Sequence, residues 1–266
     1  LIESGLRSTW AETPWAVLTR DDEGVFVGHH YAGAWTTRVT PAGAGGTTIE
    51  TAPVLDAPLV MPGEPCTSPV TFLGAYAGDL DDAAMAHIDY FRTALSPSIP
   101  ADFPWVQYNT WFSYPCDLDA GELLGEAEIA ADLGCDIFYV DAGWWEGSPR
   151  VDVRDRFAGG LGTWRQNREK FPHGLRAFAE DVRGMGMRFG LRVEPERLDL
   201  RTHAQATWDP SWLATNDRGI IRADWPPDTE TAMRCFGLSE VQRWALDWIS
   251  ELVSTLNLAW LKWEAN

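Results

Sequence analysis

The chain has 266 residues, with 21 lysines and arginines against 39 aspartates and glutamates, a net charge of −18. Acidity of that size, dispersed along the chain and not gathered in a tail, excludes nucleic acid and an anionic membrane surface as partners. No apolar run approaches the ~20 residues of a membrane span, and the length suffices to bury a sizeable core in one or two domains.

Residues 1 to about 95 hold short β-type runs separated by turn signals. Trp15–Thr19 and Val25–Val27 flank Asp21-Asp22-Glu23-Gly24, another pair flanks Gly43–Gly46, and Pro69–Tyr76 reads as a last strand. This part is expected to be antiparallel β, a sandwich. A helix is expected over 80–94, with Leu80, Ala84, His87, Ile88 and Phe91 at helical spacing. Ser96-Pro97-Ser98-Ile99-Pro100 is a stiff boundary, which divides the chain into domains 1–98 and 99–266.

Beyond it the pattern alternates between strand and helix. Strands are expected at Trp105–Tyr108, Asp136–Val140, Met187–Val193 and Leu258–Trp263. Amphipathic helices are expected at 119–133, 174–185 and 239–256, the last with Ser239 and Gln242 as a capping box. Such alternation implies parallel β/α units. The helix-to-strand links are very short, whereas the links 141–173 and 194–238 are long and without obvious secondary structure. Long loops at the carboxyl ends of parallel strands are where α/β folds place their sites.

Those strand ends carry the chemistry. They read Tyr108-Asn109-Thr110-Trp111, then Asp141-Ala142-Gly143-Trp144, then Glu194-Pro195-Glu196, then Lys262-Trp263-Glu264-Ala265-Asn266. Alternation on a strand sends Lys262, Glu264 and Asn266 to one face, an expensive convergence unless the groups bind something. Carboxylates, an amide and indole faces around one mouth suit a sugar, and paired carboxylates are the machinery of glycoside hydrolysis. Trp244 and Trp248, on the inner face of the last helix, read as core. None of the five histidines lies in a metal-ligand spacing, so neither metal nor cofactor is expected. Cys66, Cys116, Cys135 and Cys235 are far apart and read as free or buried thiols. Leu1 opens the chain without a methionine and no signal peptide is visible, so no compartment is read.

In this order, these motifs resemble glycoside hydrolase family 36, the melibiase-type α-galactosidases. Gly162-Thr163-Trp164, Lys170-Phe171-Pro172-His173-Gly174-Leu175 and Gly184–Leu191 add to the likeness. So do Gly24–Gly28 and Phe72–Ala83 near the front, and the resemblance covers nearly the whole chain. It implies the end of an amino-terminal β-supersandwich followed by the first four strands of a (β/α)8 TIM barrel. It also implies a retaining α-glycosidase that acts on an α-galactoside or related α-sugar. Glu264 then stands at the nucleophile, Lys262 and Asn266 contact the sugar, and Asp141 binds its hydroxyls. Trp111 and Trp144 wall the pocket. The acid/base residue falls beyond residue 266, and an oligomer of the full-length protein stays open. The chain departs from the family pattern at Glu264 and Ala142, each in place of an aspartate, and at Arg192, in place of a tryptophan. Thr163 and Gly237 also replace aspartates. Two alternatives remain: a transglycosidase of the raffinose-synthase type and a non-catalytic sugar-binding relative.

Overall fold

The computed structural model describes residues 2–4, 12–31, 33–54, 62–63, 65, 67–150, 157–201, 209–223 and 230–264. They fall into two compact units, Leu1–Ala101 and Asp102–Asn266.

The first unit is built from β1 (Ile2–Ser4), β2 (Trp15–Arg20), β3 (Glu23–His30), β4 (Trp35–Pro41), β5 (Thr47–Pro53), β6 (Val70–Ala77) and α1 (Leu80–Tyr90). Two antiparallel sheets form, in the orders β1-β4-β5 and β2-β3-β6. His29 of β3 joins them: its ring meets Trp35 edge-on at 5.1 Å, and its Nδ1 lies 2.8 Å from the Thr51 hydroxyl. Helix α1 covers the second sheet, with Ala83 buried among Phe26, Phe72 and Tyr76. Asp79 starts the helix as one half of a true capping box, in which its carboxylate accepts from the Asp82 backbone while the Asp82 carboxylate accepts from its own. The helix expected over 80–94 is α-helical only to Tyr90 and continues as a wider π-type turn, Phe91–Leu95.

The second unit contains β7 (Gln107–Asn109), α2 (Ala120–Asp132), β8 (Ile137–Val140), α3 (Gly174–Gly184), β9 (Arg188–Val193), β10 (Arg197–Asp199), β11 (Thr215–Asn216), β12 (Gly219–Ile220), β13 (Arg222–Ala223), β14 (Thr231–Met233), α4 (Ser239–Leu256) and β15 (Trp260–Trp263). Four strands, β7, β8, β9 and β15, form a parallel sheet in sequence order. The inner pair is buried on both faces, as apolar parallel strands are: every residue of Ile137–Val140 is buried, and only Arg188 of β9 is not. Phe178 of α3 packs between Phe138, Phe171 and Phe189, a burial that contributes about 1.5–3 kcal/mol. The short links work as stops. Gly134 and Gly186 take positive φ after α2 and α3, and Asn257 ends α4 in the left-handed region.

Two expectations are corrected. Residues 194–238 are not a structureless loop. They carry a small antiparallel sheet, β10-β14-β13, and the β11-β12 hairpin, in runs of two or three residues too short to show a period. The capping box at α4 does not form. Leu238 is the N-cap, the Ser239 hydroxyl donates to Glu240, and the Gln242 amide donates to the Phe236 carbonyl. The four parallel strands otherwise begin one or two residues later than expected, within the usual fraying of element ends.

Candidate active site

The sheet register builds the site. Lys262 pairs with Arg192 across β15 and β9, and Tyr139 pairs with Gly190 across β8 and β9. A side chain on Gly190 would collide with the Cβ atoms of Tyr139 and Trp260, 2.6 and 3.1 Å away. The row beneath the site is therefore filled from its two sides. Two residues further along the same faces stand Asp141, Arg192 and Lys262.

Asp141 is buried and fixed by several donors. Its Oδ2 accepts from the Tyr139 hydroxyl at 3.0 Å and from Lys262 Nζ at 3.0 Å, and its Oδ1 accepts from the Ala142 N–H at 2.7 Å. Its own N–H donates to the Thr110 hydroxyl. Burial, and then the Asp141 charge, push the Tyr139 phenol well above its ordinary range, so it stays a proton donor to the carboxylate. Lys262 Nζ also meets Glu264 Oε1 at 2.6 Å. Burial works against the ammonium, but the hydrogen bond to Glu264 and the Asp141 charge outweigh it and hold the amine above its ordinary value. The Glu264 N–H donates to the Val193 carbonyl, extending the ladder one residue past β15.

Asp141, Lys262 and Glu264 line a cavity of about 180 Å³ together with Trp111, Ala142, Phe157 and Arg192. Trp111 is held in a one-turn helix whose start is capped by Asn109, and its ring meets Phe157 edge-on at 5.9 Å. Arg192 is buried and binds Glu194 through Nη2, and Glu194 also meets Arg197 Nη1 at 3.4 Å. Both carboxylate oxygens of Glu196 accept from the Trp263 indole.

Of the residues singled out in the sequence, four share this cavity: Trp111, Asp141, Lys262 and Glu264. Trp144 does not. It is 1 % exposed, donates its indole N–H to the Arg192 carbonyl, and packs against Trp145 and Trp164. It borders a separate cavity of about 490 Å³ beside α3 and α4, with Trp164 and Trp248. Trp244 and Trp248 are partly buried against the main core and stack on each other. Asn266 and Cys66 lie outside the described residues. Sequence reasoning missed Tyr139, Phe157 and Arg192 as members of the site. Arg192 had a signal, since a lone arginine inside the apolar run Phe189–Val193 needs a reason to be there.

A family model described as melibiase matches residues 67–266. The chain belongs to the melibiase family. Among curated members, α-galactosidase AgaA of Geobacillus stearothermophilus is 25% identical over 212 residues, 78% of this chain and 27% of the relative. α-Galactosidase 2 of Hypocrea jecorina is 30% identical over 171 residues, 60% of this chain and 21% of the relative. The crystal structure of the Geobacillus enzyme superposes with a TM-score of 0.83 at 21% identity, covering 98% of this chain and 36% of that one. A variant of the same enzyme, solved in complex with stachyose, matches equally, with a TM-score of 0.83. At that identity the superposition shows the fold. The chain spans about a third or less of these melibiase relatives.

Proposed function

We propose that the protein is a retaining α-glycosidase of the α-galactosidase type, with Glu264 as nucleophile. The observation that carries this reading is Lys262. One ammonium joins the carboxylates of Asp141 and Glu264 on a single cavity at the carboxyl ends of four parallel strands. Asp141 already accepts from three donors, which suits a carboxylate that stays charged and receives sugar hydroxyls, not one that gives up a proton. Glu264 is held by a single cation and is partly open to solvent, as a nucleophile must be.

In the first step a Glu264 oxygen attacks the anomeric carbon. The bond to the leaving oxygen breaks, and an acid supplied by chain beyond residue 266 protonates that oxygen. In the second step water, deprotonated by the same group, attacks the anomeric carbon, frees Glu264 and releases the sugar with its configuration retained. Trp111 offers an apolar face to the sugar ring. The sheet in sequence order, with helices between its strands, supports reading residues 99–266 as the first half of a (β/α)8 barrel. The two antiparallel sheets support reading residues 1–98 as the end of a β-supersandwich. The stachyose complex of the Geobacillus enzyme supports a terminal α-galactoside as substrate.

The test is Glu264→Gln in the full-length protein. Turnover of an α-galactoside should fall by at least about a thousandfold while sugar binding survives. Glu264→Asp shortens the arm by about 1.5 Å, and activity kept within about tenfold would mean that the pocket accepts either reach. Full activity in Glu264→Gln would remove this residue from the mechanism. Binding without turnover in the wild type would point to a sugar-binding protein, and transfer to a second sugar in place of water to a transglycosidase.

A further inference from the structure

The charges around the cavity are unevenly distributed. At one end a single ammonium, Lys262, serves two carboxylates, Asp141 and Glu264. At the other the Glu194 carboxylate meets two guanidiniums, Arg192 and Arg197. Arg192 belongs to both: it lines the cavity, yet its side chain is only 2 % exposed. Its Nη2 is bound to Glu194, but Nε and Nη1 are buried and have no hydrogen-bond partner. Asp141 Oδ1, at 4.0 Å from Nε, is beyond hydrogen-bond reach. The rings of Trp145 and Phe157 lie against the guanidinium at 5.5 and 5.4 Å and offer no acceptor in its plane. A buried charged donor left unmet is costly, and such groups are rare enough to require a reason.

From this geometry we infer that the sugar bound here carries an oxyanion, a uronic-acid carboxylate or a sulfate ester, that is read by Arg192. A neutral hydroxyl could accept one N–H. A charged oxygen makes the shorter, charge-assisted bond. Ala142 leaves its part of the wall without a polar side chain, and among the described residues that line the cavity the buried donors left unmet belong to Arg192. The glycone then lies between two poles: hydroxyls toward Asp141, the anomeric carbon toward Glu264, and the oxyanion toward Arg192. The inference deepens the glycosidase reading and rests on it for the orientation of the sugar.

The test is a calorimetric titration of the full-length protein with galacturonate, galactose 6-sulfate and galactose. Turnover of p-nitrophenyl α-galacturonide is measured beside that of the α-galactoside. One acidic sugar should bind at least about tenfold more tightly than galactose, and which one it is tells carboxylate from sulfate. Arg192→Met should abolish that preference and Arg192→Lys should keep part of it. If Arg192→Met does not fold, the wild-type comparison decides alone. Galactose bound as tightly as both acidic sugars overturns the inference, and turnover of the galactoside in the same protein would leave the glycosidase reading standing. An acidic preference without turnover of either glycoside upholds the Arg192 assignment and removes the glycosidase. No binding of any of the three sugars overturns both.

Discussion

Lys170 and Lys262 are the only two lysines of a chain with nineteen arginines, and their surroundings differ in kind. Lys170 is completely buried, and its Nζ donates to neutral oxygens: the carbonyls of Cys116, Gly143 and Pro149 and the Ser148 hydroxyl, at 2.7–2.9 Å. Burial pulls its amine down to about 8. Lys262 is a third exposed, faces two carboxylates, and is held above its ordinary value. The first lysine ties the turn after β8 to the chain after β7 and leaves nothing for a ligand. The second stands where a cavity opens. The same residue type thus acts as a clamp among neutral acceptors and as a bridge between two carboxylates at an open cavity.

The largest effect should come from the clamp. Lys170→Met fills the space but removes the ammonium that ties the Cys116, Gly143 and Pro149 carbonyls and the Ser148 hydroxyl together, and should lower stability by about 3–5 kcal/mol, read by denaturant unfolding. If stability is unchanged, the four contacts are not what holds that turn. The next largest belongs to the site. Lys262→Met should lower kcat/KM for an α-glycoside by about a hundredfold, because Asp141 and Glu264 then face each other unscreened. Its stability cost should stay below that of Lys170→Met, since Lys262 is itself partly open to water and Asp141 keeps the Tyr139 hydroxyl and the Ala142 N–H. If Lys262→Met cost stability and left activity intact, the roles of the two lysines would be reversed.

The smallest effect, counted per pH unit, is one of pH. Between about 8 and the ordinary lysine value of 10.5 the unfolded chain keeps a proton that folded Lys170 has released. The unfolded state binds more protons there, so wild-type stability should gain on that of Lys170→Met as pH rises, by at most about 1.4 kcal/mol per pH unit. Below pH 8 the difference should be flat. A gap that stays flat or narrows over that window would mean that the lysine stays charged in the fold.

Much of this was legible from residue order. Period-two alternation sent Lys262 and Glu264 to one face, and the strand-helix alternation put Asp141 at the mouth of the next strand but one. What was not legible has local causes. Gly143, at φ +100°, turns the chain after Ala142, so strand alternation no longer applies at Trp144, whose indole faces inward. Arg192 stands beside Lys262 only once the sheet order is known. Ser239 had the right chemistry for a cap but sits one residue inside the helix that Leu238 begins. Strand β10 is defined by its distant partner β14, Arg197 opposite Met233, and β11 and β12 are hairpin strands of two residues each, too short to show a pattern of their own.

The claim on which the rest depends is that Glu264 attacks the anomeric carbon. The direct measurement is covalent trapping. The full-length protein is incubated with a mechanism-based α-galactosyl fluoride, digested, and its labelled peptide sequenced by mass spectrometry; where the glycone must be acidic, the corresponding uronosyl fluoride replaces it. The account predicts one glycosyl group on the Glu264 side chain and no labelling of Glu264→Gln. A label on another carboxylate, with Glu264→Gln still active, would contradict it.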